Sequence, residues 1–131
     1  EVYENKKLIN EINKHGIKNS RVIKCLLQVN ISKEVSKFGI SLNKIDELYD
    51  YSLSLENISI KGLMGMASYT NDKSIINSEF NSIGLKFNDI NKIDPNFNIL
   101  SIGMSGDYEV AINNGSNMVR IGSKIFGERK I

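Results

Sequence analysis

Two short stretches near the end of the chain carry residue types suited to gripping an anion: Gly103-Met104-Ser105-Gly106 and Gly122-Ser123. Each follows an apolar run that reads as a buried parallel strand, 98–103 in one case and 118–121 in the other. Side by side, two such strand ends offer the hydroxyls of Ser105 and Ser123 and the N–H groups of Gly122 and Ser123. Small hydroxyls, backbone N–H groups and a helix N-terminus together make an anion site, and a phosphate is the anion they suit. In eight-stranded α/β barrels such a site often follows strands seven and eight. A plain tight turn after each strand is the competing reading, and spacing alone leaves both open.

Other residues have chemical potential but fewer partners. Arg120 lies inside the apolar run 118–121. It is either a surface arginine at a strand end or a buried one, which then needs a partner. Lys37 lies in a polar stretch, 31–39, and reads as a solvated loop charge or as a cation approaching a bound anion or aldehyde. Asn30 closes the apolar run 21–30, at the strand end where barrels place function. Met64 reads as barrel packing or as an apolar ligand contact. His15 is the single histidine and Cys25 the single cysteine. His15 reads as a solvated residue at a helix C-terminus, and Cys25 as a buried, inert thiol. With one of each, neither a catalytic pair nor a transition-metal site can be assembled from them.

The elements that must position these residues are legible from periodicity. Residues 3–15 carry Leu8, Ile9 and Ile12 on one helical face, with Gly16 read as the stop. A near-continuous apolar strand over 21–30 predicts a sheet covered on both faces. A helix over 41–53 follows, with Leu42, Ile45, Leu48, Tyr49 and Leu53 inward and Ser41 as its cap. A strand over 58–66 contains Gly62 and Gly65, which suggest close backbone approach. Ile76, Phe80, Ile83, Phe87 and Ile90 recur at helical spacing after a cap at Asn71 or Asp72. In the last helix Ser105 is the expected cap, with Asp107 and Glu109 in the first turn. Tyr108, Ala111 and Ile112 share a face there, and Gly115 provides a left-handed end. The order α-β-α-β-α-β-α-β implies a parallel sheet with right-handed crossovers.

At 131 residues, 40% of them hydrophobic, the chain is long enough for one core. Its net charge of +2, with acids and bases interspersed, argues against a dedicated nucleic-acid surface. No apolar run approaches the roughly 20 residues of a membrane span, and no signal peptide is visible. One cysteine fits a reducing, cytoplasmic compartment.

Three stretches, QVNISKEVSKFGI at 28–40, GLMGMA at 62–67 and SIGMSGDYEVAINNGSNMVRIGSKIFGER at 101–129, occur in that order. Together they resemble the C-terminal half of the pyridoxal phosphate homeostasis protein family, whose fold is a (β/α)8 barrel related to the N-terminal domain of alanine racemase. The resemblance implies an α/β chain forming the C-terminal half of that barrel, four parallel strands alternating with helices, with residues 1–131 as one partial domain. It implies pyridoxal 5′-phosphate (PLP) as the cofactor, Ser105, Gly122 and Ser123 at its phosphate, Arg120 at its pyridine nitrogen, and Asn30, Lys37 and Met64 nearby. Ser123 stands where the family usually has threonine, and the hydroxyl is retained. A guanidinium at the ring nitrogen keeps that nitrogen unprotonated, which suits holding PLP over catalysing carbanion chemistry. The implied function is a non-catalytic carrier or reservoir serving PLP-dependent apoenzymes. The alternatives are half of an amino-acid racemase-like PLP enzyme, or of another barrel that binds a phosphorylated ligand. The family's imine-forming lysine has no counterpart in this chain. The open sheet edges of a half-barrel imply pairing with an N-terminal half or a second copy.

Overall fold

The computed structural model describes residues 2–32, 39–104 and 106–120. Helix α1 (Val2–Lys18) leads into β1 (Ile23–Val29). A 3-10 turn (Leu42–Lys44) and α2 (Ile45–Leu53) then connect to β2 (Ile58–Gly65). Next come α3 (Lys73–Ile93), β3 (Ile99–Met104), the six-residue α4 (Tyr108–Asn113) and the three-residue β4 (Met118–Arg120). Each strand pairs in parallel with the next, in the order β1-β2-β3-β4. Such a sheet never reverses its direction of growth. Right-handed crossovers therefore place successive helices on one face of the sheet.

Burial follows from that winding. Leu27, Val29, Ile58, Ile60, Leu63, Leu100 and Ile102 face the helices and are buried. From the other side, α3 presents Ile76, Phe80, Ile83, Phe87 and Ile90, all five buried as their spacing predicts. Phe97 closes the layer, edge-on to Tyr49 at 5.3 Å and tilted against Phe87 at 5.6 Å. Each such side chain contributes about 1.5–3 kcal/mol by leaving water. The Tyr49 hydroxyl donates to the Asp94 carboxylate, tying α2 to the end of α3. Burial, and then this bond, push its phenol up to about 12.

The opposite face is only half-covered. Gln28, Met64, Ser101 and Met118 form one row across it, by register. On this face Val22 before β1 and Lys24 are exposed and Leu26 is half-buried, so among the described residues β1 is fully covered on one face only; Cys25, on the helix side, is half-buried. Burial still pushes the Cys25 thiol up, which keeps it protonated and unreactive.

The β1–β2 register slips between Cys25 and Leu26, leaving Lys61 as an extra residue in β2. Beside the slip, a methyl group on Gly62 would lie 1.7 Å from the Ile99 carbonyl oxygen, so β2 and β3 meet there backbone to backbone. Asn117 and Ser116 fasten the far side of β3. The Asn117 side chain accepts from Leu100 N–H at 2.8 Å and donates to Asn98 O at 2.6 Å. Ser116 Oγ donates to Ile102 O at 2.7 Å.

Several local expectations are corrected. Helix α1 runs through Gly16 to Lys18, and Ser20 takes the left-handed turn instead, at φ 54°. Gly16 serves contact: a Cβ there would meet the Asn57 carbonyl oxygen at 2.5 Å. Ser41 does not cap a helix through its side chain, because its hydroxyl donates to Asn43 Oδ1 at 2.6 Å. Leu53 and Ile112, both expected on inward faces, are 64% and 54% exposed. Val110 packs on the core in place of Ile112. Asp72 is the cap of α3, accepting from Ser74 N–H at 3.0 Å, and Gly115 is left-handed at φ 95°.

Candidate functional site

At the C-terminal ends of β2 and β3 lies a cleft of about 350 Å3. Its walls are residues 66–71 after β2, Ile76 and Phe80 of α3, Gly103 and Met104 at the end of β3, and Gly106 and Asp107 beyond it. Function in parallel α/β folds sits at this end, because the connecting loops there converge while strands and helices hold their bases rigid.

The β3 side of the cleft is a closed turn. Met104 N–H donates to Asp107 Oδ1 at 2.7 Å, and Asp107 N–H donates to Met104 O at 3.1 Å. Asp107 is thus the N-cap residue of α4 by position but turns its carboxylate back to β3, not to the helix N–H groups. Glu109 alone supplies first-turn negative charge. A six-residue helix sums few peptide dipoles, so an anion here depends on individual N–H and hydroxyl donors more than on a macrodipole. Ser105 belongs to this turn in sequence and lies outside the described residues, as do Lys37, Gly122 and Ser123.

Register brings the second stretch alongside. Met104 pairs with Arg120, so the chain leaves β4 next to the Met104–Asp107 turn. For Arg120 the backbone is described and the side chain is not. Met64 is half-buried on the open sheet face, two residues before Met66, which reaches the cleft wall. Asn30 ends β1, separated from β3 and β4 by β2. Its N–H donates to Ile40 O at 2.7 Å, and its Oδ1 accepts from Ser32 Oγ at 3.3 Å. Ile40 also donates to Gln28 O at 2.9 Å, a parallel bridge on the outer edge of β1. His15 is exposed in the last turn of α1. Among the described residues, no three His, Cys, Asp or Glu side chains cluster to hold a metal ion.

Residues 2–130 match the alanine racemase N-terminal domain. The chain belongs to that family. It is 35% identical over 131 residues to the pyridoxal phosphate homeostasis protein of Aquifex aeolicus, covering 97% of this chain and 56% of the relative. The chain spans about half the length of the curated relatives it matches. An unknown protein from Bifidobacterium adolescentis superposes with a TM-score of 0.86 at 29% identity, over 92% of this chain and 49% of that one. PipY of Synechococcus elongatus, solved with PLP bound, superposes with a TM-score of 0.79 at 23% identity, over 92% of this chain and 57% of PipY. At that identity, PipY speaks to the α/β fold with its parallel sheet.

One buried charge beside the cleft was not anticipated from sequence. Glu79 of α3 is buried, and its carboxylate takes two hydrogen bonds from Ser68 in the cleft wall. The signal was present: Glu79 falls three residues after Ile76 and four before Ile83, a charge inside an apolar stripe.

Proposed function

We propose that this chain is part of a PLP-binding barrel that holds the cofactor without turning it over. The observation that carries this reading is the closed Met104–Asp107 turn at the cleft mouth, in register with Arg120 on the adjacent strand. Family membership and a relative named for pyridoxal phosphate homeostasis support it. The cleft suits a flat phosphate ester, with Met66, Ile76, Phe80 and Met104 as apolar walls and small or hydroxyl residues at the rim. Bound PLP supplies an aldehyde and an electron-withdrawing ring. Ser105, Gly122 and Ser123 hold the phosphate through hydroxyls and N–H groups. Arg120 would face the ring nitrogen, and its permanent charge would leave that nitrogen without a proton, weakening the ring as an electron sink. Asn30 and Met64 would approach the cofactor from the neighbouring strands, and Lys37 from the segment that follows β1.

In this reading residues 1–131 form half of a (β/α)8 barrel, and the remaining strands come from an N-terminal half or from a second copy. Ile40 covers only the end of β1's outer edge, and from Ile23 to Leu27 no strand lies beside it among the described residues. The barrel works in the cytoplasm as a reservoir for PLP-dependent apoenzymes. Among the described residues no helix is long and apolar enough to cross a membrane.

A PLP titration of the full-length protein, followed by absorbance, tests the site. Ser123→Ala removes one charge-assisted hydrogen bond, so affinity falls about ten- to a hundredfold. Arg120→Lys changes the absorption spectrum more than the affinity. Wild-type affinity in both Ser105→Ala and Ser123→Ala would place the phosphate elsewhere. Preference for another phosphorylated ligand over PLP would reassign the barrel.

A further inference from the structure

Glu79 is the one buried carboxylate among the described residues, 5% exposed. Its partners are neutral and belong to a single residue. Ser68 N–H donates to Oε1 at 2.7 Å, and Ser68 Oγ–H donates to Oε2 at 2.6 Å. A buried carboxylate without hydrogen bonds is strongly unfavourable, so this arrangement makes the position of Ser68 nearly obligatory for the fold around it. Ser68 belongs to the wall of the cleft, three residues beyond the end of β2.

The same loop is fastened a second time. Asp72 accepts from Ser74 N–H and Oγ at 3.0 and 2.6 Å, and its own N–H donates to Thr70 Oγ1 at 3.1 Å. Between the two fastenings run Tyr69, Thr70 and Asn71, the rim of the cleft. Tyr69 is 96% exposed, so core packing does not hold this stretch in place. On α3, Glu79 stands next to Phe80 and one turn from Ile76, both of which line the cleft.

We propose that Glu79 is a positioning residue for the cofactor site, which it shapes by clamping the 67–72 loop through Ser68. This rests on the PLP-binding reading. Glu79 touches no ligand; it fixes how far the rim stands from the β3 turn and so the width of the slot. Its charge alone would act in the opposite direction, because a carboxylate near a phosphate weakens anion binding. The two roles therefore separate by sign.

The test uses the full-length protein with Glu79→Ala, Glu79→Gln and Ser68→Ala, read by amide hydrogen exchange without ligand and by PLP titration. The clamp predicts at least about tenfold faster exchange over residues 68–71 in Glu79→Ala, with β2 amides unchanged. PLP affinity falls about tenfold in Glu79→Ala. Glu79→Gln restores it to within about threefold of wild type, since an amide still accepts from Ser68 N–H and can donate to its Oγ. Ser68→Ala keeps the N–H bond and falls between the two. Unchanged loop exchange in Glu79→Ala overturns the proposal, as does faster exchange spread equally over β2 and α3, which would make Glu79 a general core strut. Tighter PLP binding in both Glu79 variants overturns it in favour of simple charge. Absence of PLP binding in the wild type overturns the cofactor reading and this inference with it. A loss confined to the inference shows instead as wild-type PLP binding that Glu79→Ala leaves intact.

Discussion

Gly62→Ala probes the tightest point of the sheet, away from the cleft. The added methyl would lie 1.7 Å from Ile99 O and 2.6 Å from Ile99 C, where ordinary contact begins near 3.4 Å. Both obstacles are backbone, so no side chain can swing aside, and β2 and β3 must part by about 1.5 Å. Asn98 N–H donates to Lys61 O at 2.8 Å beside this point, and a gap that wide removes it along with the adjacent Gly62–Ile99 pairing. Two lost backbone bonds at about 1 kcal/mol each, plus about 1–3 kcal/mol for the groups left unpaired, give ~3–5 kcal/mol. At about 2–4 °C per kcal/mol for a barrel of roughly 250 residues, the melting temperature of the full-length protein should fall by about 6–20 °C. Gly106→Ala is the control. A Cβ there meets nothing within 4 Å, and its cost should stay within about 0.5 kcal/mol. Thermal unfolding followed by circular dichroism decides the matter. Equal melting temperatures for the two variants would mean that the strands do not meet at Gly62.

Two further outcomes follow from the packing. Tyr49 has its phenol pushed up to about 12, so the stability this adds is complete below the unfolded value near 10 and is lost as pH rises towards 12, the unfolded chain giving up its proton first. Tyr49→Phe should cost about 1.5–3 kcal/mol near neutrality, and its melting temperature should decline less than the wild type's from pH 10 to 12; parallel profiles would refute the assignment. Residues 1–131 alone should self-associate or unfold, given the uncovered β1 edge and open sheet face, and sedimentation as a compact, cooperatively unfolding monomer would contradict the half-barrel reading.

Most of the layer that carries the site could be read from local pattern. The stripe from Ile76 to Ile90 announces α3 because an apolar face with a period near 3.6 has few alternative uses. Features whose cause lies far along the chain were not legible. Gly16 signals a helix stop or a contact with equal force, and the deciding atom, the Asn57 carbonyl, is 41 residues away. Leu53 and Ile112 fit their stripes yet are exposed, because a stripe does not reveal which of its members find a packing partner. Ser41 was misread because its near neighbour Asn43 competes for the hydroxyl. In the candidate site, the parallel approach of 103–106 and 118–120 followed from strand order. The Asp107 turn did not: local pattern puts the cap at Ser105 and Asp107 inside the first turn, whereas α4 begins at Tyr108 with Asp107 at the N-cap position.

The slip at Lys61 has a consequence for the cleft. Side chains alternate along a strand, yet Ile58 and Ile60 face the helices and so do Leu63 and Gly65, an odd step between even ones. Lys61 acts as a phase shifter, taking up one position without using it for packing. Were Lys61 paired in the ladder, with no slip, the upper half of β2 would turn over: Leu63 would pass to the open face, while Met64 and Met66 would be driven into the helix layer. One residue skipped in the β1–β2 ladder thus decides which side chains of the upper half of β2 face the open side of the sheet. What matters at position 61 is that its residue stays out of that ladder.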